Sequence, residues 1–200
     1  MRLPGVILAG GRSSRMGGGD KGLRLLAGRA MIAHVIDRLT PQAGPLAINA
    51  NGDPARWAGF GLPVLADPVP GYPGPLAGAL AAMDWAAAQG AGAVVTVAAD
   101  TPFFPADLVA RLAHGAPFAL AASVGADGRM HDHPTFGLWP VALRAPLRAA
   151  LESGQRRVRD WAAAQGAVIV AFDAGPGGHD PFFNVNTPED LAAAQLIAGP

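Results

Sequence analysis

The sequence of 200 residues contains no cysteine. This absence excludes disulfide bonds, thiolate metal sites and cysteine nucleophiles. Lysine and asparagine are almost absent as well: Lys21 is the single lysine, and the four asparagines form two Asn-x-Asn pairs, Asn49/Asn51 and Asn184/Asn186. In a chain otherwise rich in Ala, Gly, Pro and Arg, positions that keep Lys or Asn indicate a need for a compact ammonium or a neutral amide, which arginine does not supply. The alternative is that chance placed them there.

The chain also lacks an excess of charge of either sign and a long apolar run. Its 15 basic residues balance 15 acidic ones, so no basic field exists that would favour binding to nucleic acid. No uninterrupted apolar stretch approaches the ~20 residues of a membrane helix, and the N-terminal run in MRLPGVILAGG is too short for a signal peptide. We therefore expect a cytoplasmic protein of one domain, without a nucleic-acid or membrane partner.

Patterns typical of strands and helices alternate along the chain. Strands are predicted over residues 5–9, 46–49, 64–66, 93–98, 118–124, 135–138 and 168–172, and helices over residues 30–39, 76–89, 105–114, 141–151, 157–165 and from Thr187 onward. This alternation predicts βαβ units and a layered α/β architecture with a mainly parallel sheet.

Several chemically distinctive residues lie at or just after the C-terminal end of a predicted strand: Gly10-Gly11, Asn49, Asp67 and Asp100. In parallel α/β sheets, ligands bind beyond the carboxyl ends of the strands. We therefore expect these residues to line one crevice.

The strongest local motif is LAGGRSSRMGGGDK, near the N-terminus. Gly10 and Gly11 allow the backbone to approach a ligand closely, the amides that follow can donate to phosphate oxygens, and Arg12, Arg15 and Lys21 supply positive charge. The motif lacks the Gly-Lys-Ser/Thr of a Walker A loop and does not match GxGxxG. It predicts a phosphate cradle.

Two carboxylates stand at the ends of predicted strands. In AADTPFFP, Asp100 suits a hard cation, because Mg²⁺ is usually held by one or two carboxylates together with substrate phosphates. The alternative for Asp100 is a helix or turn cap. Asp67 suits a ribose hydroxyl or a base edge, and equally a turn before Pro68.

Three further motifs are less specific. PGYPGPLAG, which contains the only tyrosine, predicts either a helix N-terminus facing an anion or a structural turn. In FFNVNTPED, Asn184 and Asn186 alternate on an extended stretch, so their amides share a face that suits a heteroaromatic or phosphorylated second substrate. For His131 and His133 no further metal ligands are found, which favours hydrogen bonding or exposure.

Together these motifs resemble one family of enzymes. LAGGRSSRMGGGDK, INAN, DPVPGYPGPLAG, ADTPFFP, DHPTFGLW, GQRRVRDW and FFNVNTPED occur in this order along nearly the whole chain. The set resembles the molybdenum cofactor guanylyltransferases, whereas the first motif alone would specify only the wider nucleotidyltransferase superfamily. The resemblance implies a Rossmann-like, three-layer α/β nucleotidyltransferase fold. It also implies transfer of GMP from GTP to molybdenum-bound molybdopterin, with Mg²⁺, giving the guanine dinucleotide cofactor and pyrophosphate.

The resemblance also implies roles for individual residues. The residues expected to bind GTP are Leu8, Ala9, Gly10, Lys21, Asn49, Asp67 and Asp100, to which the glycine-rich motif adds Gly11. Asp100 is expected to hold the metal. Because a phosphate nucleophile that approaches a triphosphate demands cations, we also expect Arg15 and Lys21 to act in catalysis together with Asp100. Asn184 and Asn186 match the motif placed near molybdopterin, and we expect them to serve that substrate and not GTP.

Two alternative functions stay open. A CTP-dependent molybdopterin cytidylyltransferase would differ in the base pocket; Gly10-Gly11 favours guanine by resemblance alone, since the cytidine enzymes resemble LAAG. A non-catalytic molybdopterin carrier would need neither Lys21 nor Asp100. Molybdopterin-supplying proteins and molybdoenzyme clients are the expected protein partners.

Overall fold

The computed structural model describes residues 2–10, 20–71, 74–125, 128–175 and 178–199. In chain order the elements are β1 (Gly5–Leu8), β2 (Leu25–Leu26), β3 (Arg29–Ala30), α1 (Met31–Leu39), β4 (Leu46–Asn49), β5 (Val64–Leu65), α2 (Pro75–Ala88), β6 (Ala93–Ala98), α3 (Leu108–Gly115), β7 (Ala119–Val124), β8 (Met130–Pro140), α4 (Arg144–Glu152), α5 (Val158–Ala164), β9 (Val168–Phe172) and α6 (Pro188–Ala198). Short 3₁₀ helices span Lys21–Leu23, Pro54–Phe60 and Val141–Leu143.

Seven of these strands form one central sheet in the order β5-β4-β1-β6-β8-β7-β9. Strand β8 runs antiparallel to both of its neighbours, and the other neighbouring pairs are parallel. The predicted α/β class and mainly parallel sheet are therefore confirmed.

The sheet is the middle of three layers, because its strands bury side chains on both faces. Within β1, Ile7 packs in a core with α1 and α3, whereas the preceding Val6 packs in a second core with α2, α4 and α5. Successive strand residues point to opposite faces. This two-sided burial explains the continuous apolar runs of the central strands.

The sequence-based expectations differ from the structure in two places. Strand β8 is longer than the predicted 135–138 and antiparallel, because the connection from β7 is too short for a crossover to a parallel strand. The hairpin of β2 and β3 was not predicted, since each strand has two residues. Its turn at Ala27 (φ 47°) and Gly28 (φ 76°) lacks the Asn-Gly or Asp-Gly signal of tight hairpins.

The strand register places three strand ends side by side. Leu8 at the end of β1 is aligned with Asn49 of β4 on one side and with Ala98 of β6 on the other. The segments that follow these strands therefore leave the sheet at one edge, as the crevice prediction requires. Among the described helices, none has both the length and the hydropathy needed to span a lipid bilayer.

Candidate active site

A cavity of about 280 Å³ opens at this carboxyl edge of the sheet. It is lined by all of the predicted site residues that the structure describes: Leu8, Ala9, Gly10, Lys21, Asn49, Asp67, Asp100, Asn184 and Asn186. Two further predicted site residues, Gly11 and Arg15, lie outside the described residues, as does Arg12. All of the predicted site residues within the described part of the chain thus lie around one cavity.

Backbone pairing continues past the strand ends and forms the floor of the cavity. The amide of Ala9 donates to the carbonyl of Asn49 (2.8 Å), and the amide of Ala99 donates to the carbonyl of Leu8 (3.0 Å). The three segments diverge only after these bonds. Gly10 and Asp100, which follow the first and third of these segments, both line the cavity.

Lys21 is brought to the cavity by a close packing contact of the residue after it. A Cβ at Gly22 would lie 3.1 Å from the Cβ of Ala99, so the 3₁₀ turn sits directly against the segment that carries Asp100. The Lys21 ammonium lies 3.4 Å from Oδ2 of Asp100 and donates to Oδ1 of Asn186. One cation therefore joins a carboxylate and an amide from distant parts of the chain.

Asp100 has the electrostatic character of a buried acid beside a cation. Burial raises the pKa of Asp100 above its ordinary value of 3.8, and the charge and hydrogen bond of Lys21 partly offset that rise. The carboxylate is still 20% exposed, and its contact with Lys21 is long for a salt bridge. It can therefore accept a ligand cation from the cavity.

The described residues contain no cluster of three or more His, Cys, Asp or Glu side chains placed to hold a metal ion. Asp100 can supply a hard oxygen ligand, and Mg²⁺ commonly takes one or two protein carboxylates and completes its coordination with phosphates and water. The donor set fits that mode of binding. It does not fit a metal held by protein ligands alone.

The opposite end of the cavity is built around Asp67. Its Oδ1 accepts from Nδ2 of Asn49 (2.9 Å), its Oδ2 accepts from Nδ2 of Asn51 (2.8 Å), and its backbone amide donates to Oδ1 of Asn51 (2.9 Å). Two amides thus hold the carboxylate in a fixed plane. A carboxylate has about four acceptor sites, so Asp67 keeps capacity for a ribose hydroxyl or a base N–H.

The PGPLAG segment gives the cavity a wall. Helix α2 begins at Gly74 and Pro75, which line the cavity, and Gly74 has a φ of 89° that favours glycine. A Cβ at Gly78 would lie 2.5 Å from Oδ1 of Asn49 and 2.9 Å from Cδ2 of Leu8. Only glycine allows the helix to pack this closely on two predicted site residues. The tyrosine of the motif, Tyr72, lies outside the described residues.

The NVN segment forms the remaining side. Asn184 accepts a hydrogen bond from Oγ1 of Thr101 (2.7 Å), and the amide of Val185 donates to the carbonyl of Asp100 (2.9 Å). Asn184 and Asn186 line the same cavity, in agreement with the prediction that they share a face. Asn186 also accepts from Lys21, so the residues predicted to serve molybdopterin lie next to a residue predicted to bind GTP.

Helix α6 fixes this segment as its sequence predicts. Thr187 is the N-cap, and its hydroxyl accepts from the amide of Asp190 (3.1 Å). The Asp190 carboxylate accepts in return from the amides of Asn186 and Thr187, each at 2.9 Å. This capping box anchors Asn186 at the end of a helix.

The two histidines of DHPTFGLW differ in environment. Nε2 of His133 is hydrogen-bonded to Oγ of Ser123 (2.8 Å), and the ring stacks on Phe182 with 4.5 Å between the ring centroids. Burial lowers the pKa of His133 below 6.5, although the nearby Asp180 carboxylate opposes that change. The hydrogen-bonding interpretation is confirmed for His133, and His131 is exposed.

Sequence reasoning missed three residues that shape the site. Asn51 clamps Asp67 without lining the cavity, Thr101 holds Asn184, and Gly78 makes room for Asn49. Asn51 and Gly78 lie in motifs that the sequence had already marked, INAN and PGPLAG. Their roles depend on contacts between segments, which the motifs do not reveal.

Comparison with known proteins gives consistent results at the level of sequence. The profile of the MobA-like NTP transferase domain matches residues 5–174. The molybdenum cofactor guanylyltransferase of Bradyrhizobium sp. (strain ORS 278) is 52% identical, covering 98% of this chain and 93% of that protein. The one from Rhodopseudomonas palustris (strain BisB5) is 53% identical, with the same coverage of both chains.

Solved structures support the fold. Molybdopterin-guanine dinucleotide biosynthesis protein A from Archaeoglobus fulgidus has a TM-score of 0.74 at 21% identity and covers 98% of both chains. The 4-diphosphocytidyl-2C-methyl-D-erythritol synthase from Anaerococcus prevotii has a TM-score of 0.71 at 13% identity and covers 98% of this chain and 96% of its own. At these identities the likeness concerns the arrangement of the backbone.

Proposed function

The chain belongs to the molybdenum cofactor guanylyltransferase family of MobA-like NTP transferases, and from this membership we propose that it transfers GMP from GTP to molybdenum-bound molybdopterin and releases pyrophosphate. The observation that carries the proposal is one shared cavity, which is lined by Lys21, Asp100 and the Asn49–Asp67 pair. It combines a cation, a partly exposed carboxylate and a fixed polar network at the edge where such sheets bind ligands.

The charges in the cavity suggest how GTP lies in it. We propose that the triphosphate lies at the end with Lys21 and Asp100, because Lys21 is the basic residue among the described lining residues. The ribose and base are placed at the end with Asn49 and Asp67, where acceptors and donors are fixed by mutual hydrogen bonds. Gly74 and Pro75, at the start of helix α2, also line the cavity, and we propose that the positive end of the helix dipole favours the phosphates.

Membership of a nucleotidyltransferase family suggests a divalent metal, and we propose Mg²⁺ held by Asp100 and the substrate phosphates. When bound, the ion would neutralise charge on the triphosphate. Two like charges about 4 Å apart repel by roughly 4 kcal/mol at an effective dielectric constant near 20. Lys21, and Arg15 from the glycine-rich motif, are proposed to supply the remaining positive charge.

The chemistry needs no nucleophile from the protein. A phosphate oxygen of molybdopterin attacks the α-phosphorus of GTP, a new P–O bond forms, and the P–O bond to pyrophosphate breaks. The attacking group is already anionic, so catalysis reduces to alignment and charge neutralisation. We propose that Lys21 stabilises the charge that develops on the pyrophosphate.

Asn184 and Asn186 are proposed to contact molybdopterin. Their Oδ1 atoms accept from Thr101 and Lys21, and neither Nδ2 atom donates to another described residue. Two amide donors therefore remain for the second substrate.

The cavity is lined by residues from both halves of the sequence. We therefore propose that residues 1–200 work as a single nucleotidyltransferase domain, with its nucleotide and metal site in the first half and its pterin site in the second. The cytoplasmic location stays a prediction.

The test is pyrophosphate release from GTP, CTP and ATP, each with Mg²⁺ and molybdenum-bound molybdopterin. We expect GTP to be strongly preferred, since a pocket that hydrogen-bonds one base edge leaves buried polar groups unpaired with another base. Equal release from GTP and CTP would contradict the guanine assignment. Pterin binding without release from any triphosphate would support the carrier alternative.

A further inference from the structure

Arg56 lies outside the cavity lining, in the 3₁₀ helix after β4, and each of its guanidinium nitrogens is bonded. Nη1 donates to Oδ2 of Asp20, Nη2 donates to the carbonyl of Asn51 (2.6 Å), and Nε donates to the carbonyl of Asp53 (3.0 Å). The Asp20 side chain is 15% exposed, and that of Arg56 is 38% exposed. The Arg56 guanidinium is therefore held in one position by three hydrogen bonds, unlike the guanidinium of an isolated surface ion pair.

The partners of Arg56 belong to opposite ends of the candidate nucleotide site. Asp20 directly precedes Lys21, whose ammonium contacts Asp100. Asn51 holds the Asp67 carboxylate through its side chain while its carbonyl accepts from Arg56. One side chain thus connects the phosphate end of the cavity to the ribose and base end.

Gly52 makes room for this connection. It has a φ of 85°, and a Cβ there would lie 3.1 Å from Nη2 of Arg56. Glycine is favoured both by the left-handed backbone and by the close approach of the guanidinium.

We propose that Arg56 is a positioning residue for the nucleotide, which sets the separation between Lys21 and Asp67. The proposal rests on the proposed function in that it takes GTP as the ligand of this cavity. Arginine suits the role because its planar fork serves three acceptors at once, whereas a lysine ammonium on a flexible stem does not hold the same directions.

The kinetic test compares Arg56→Ala and Arg56→Lys with Arg29→Ala. Arg29 forms an ion pair with Asp37 (2.8 Å), with both side chains more than half exposed and outside the site, and so controls for the loss of a surface arginine. We expect both Arg56 variants to raise the KM for GTP about tenfold, because the groups that bind the nucleotide would be misplaced. The KM for molybdopterin should change less than about twofold, and Arg29→Ala should match the wild type.

A merely structural role would lower activity through loss of folded protein and leave both KM values unchanged. The variant Asp20→Asn provides a second test of the Arg56–Asp20 pair, because it keeps a hydrogen-bond acceptor and removes the negative charge. If the pair acts as proposed, Arg56→Ala should have a smaller effect on the KM for GTP in the Asp20→Asn background than in the wild type. A KM for GTP in Arg56→Ala and Arg56→Lys equal to that of Arg29→Ala overturns the proposal.

Amide hydrogen exchange, measured without any substrate, tests the role of Arg56 independently of the proposed GMP-transfer reaction. Arg56→Ala should speed exchange at residues 20–24 and 65–67, and Arg29→Ala should not. Unchanged exchange at both segments overturns the bridging role even if GTP is the substrate. Conversely, absence of turnover by the wild type with faster exchange in Arg56→Ala would reject the proposed function and retain the bridge.

Discussion

Lys21 donates a hydrogen bond to the amide oxygen of Asn186 across 165 positions of the chain. The residue expected to meet the triphosphate is therefore in contact with a residue expected to meet the pterin. Because this contact joins the proposed triphosphate subsite to the proposed pterin subsite, it changes the expected effects of substitutions at either residue.

Asp100→Ala should abolish turnover, since it removes the carboxylate proposed to hold the metal. A loss of at least about a hundredfold in kcat is expected, comparable with removal of other charge-stabilising groups. Pyrophosphate release under saturating Mg²⁺ measures it. The matched control is Asp37→Ala, which removes a carboxylate from an exposed ion pair. Full activity of Asp100→Ala would refute the assigned role.

Lys21→Ala should weaken GTP binding and turnover, and Lys21→Arg should restore little of either. A compact ammonium fits between Asp100 and Asn186, whereas a planar guanidinium needs more room and different directions. Calorimetric titration with GTP gives the affinity. Arg148→Ala, which breaks the ion pair with Asp84 (2.7 Å), is the control for loss of a cation. A fully active Lys21→Arg would show that the single lysine is an accident of composition.

Asn184→Ala and Asn186→Ala should differ in their effects. Both should weaken molybdopterin binding. Asn184 is bonded to Thr101, so its loss should leave GTP affinity within about 1 kcal/mol of wild type. Asn186→Ala should weaken GTP binding further, because Lys21 loses its acceptor. Separate titrations of each ligand decide this. Loss of GTP affinity with unchanged pterin affinity in both variants would assign the asparagines to the nucleotide.

Gly78→Ala should displace Asn49 and Leu8, since the added methyl group would overlap both side chains. Overpacking of this kind costs about 1–3 kcal/mol of stability, and GTP affinity should fall as well. Urea unfolding and GTP titration measure the two effects. Gly92→Ala is the control, because a Cβ at Gly92 meets nothing within 4 Å. Equal behaviour of the two alanine variants would contradict the packing argument.

His133 should make the folded state sensitive to acid. Burial lowers its pKa in the folded protein, with His131 acting in the same direction and Asp180 and Asp132 opposing it. The unfolded chain takes up this proton near pH 6.5, before the folded protein does. The contribution of His133 to the free energy of unfolding is therefore present above pH 6.5 and is lost as the pH falls from 6.5 through the lowered pKa.

The variant His133→Gln removes this titration while keeping a group that can bond Ser123. The difference in unfolding free energy between the wild type and the variant should shrink on acidification, as measured by urea unfolding across that range. A difference that stays constant with pH would show that the pKa of His133 is not lowered by folding.

Much of the site was predictable because it follows one rule of parallel sheets. Asn49 ends one short buried strand and Asp100 follows another, and these positions alone predicted that both would line one crevice. The start of the last helix at Thr187 was equally predictable, since the hydrogen bonds that cap it are local. Residue type and nearby sequence are sufficient to predict a feature when the interactions that determine it are between residues close along the chain.

The remaining features depend on interactions between distant residues. Arg56 lies in no motif that the sequence marked, and its contact with Asp20 spans 36 positions. Strand β8 has a length and direction set by pairing with β6 and β7. Periodicity and motif spacing carry no information about such pairings, so these features became visible only in the folded chain.

The position of the NVN segment near the C-terminal end of the sequence has a consequence for the order in which the site assembles during synthesis. A nascent chain that has emerged through β9 already contains the segments that supply Lys21, Asn49, Asp67 and Asp100. It still lacks the segment that bonds Thr101 and Lys21. On the ribosome, the proposed nucleotide residues can therefore assemble first, and the wall proposed to face the second substrate is added last.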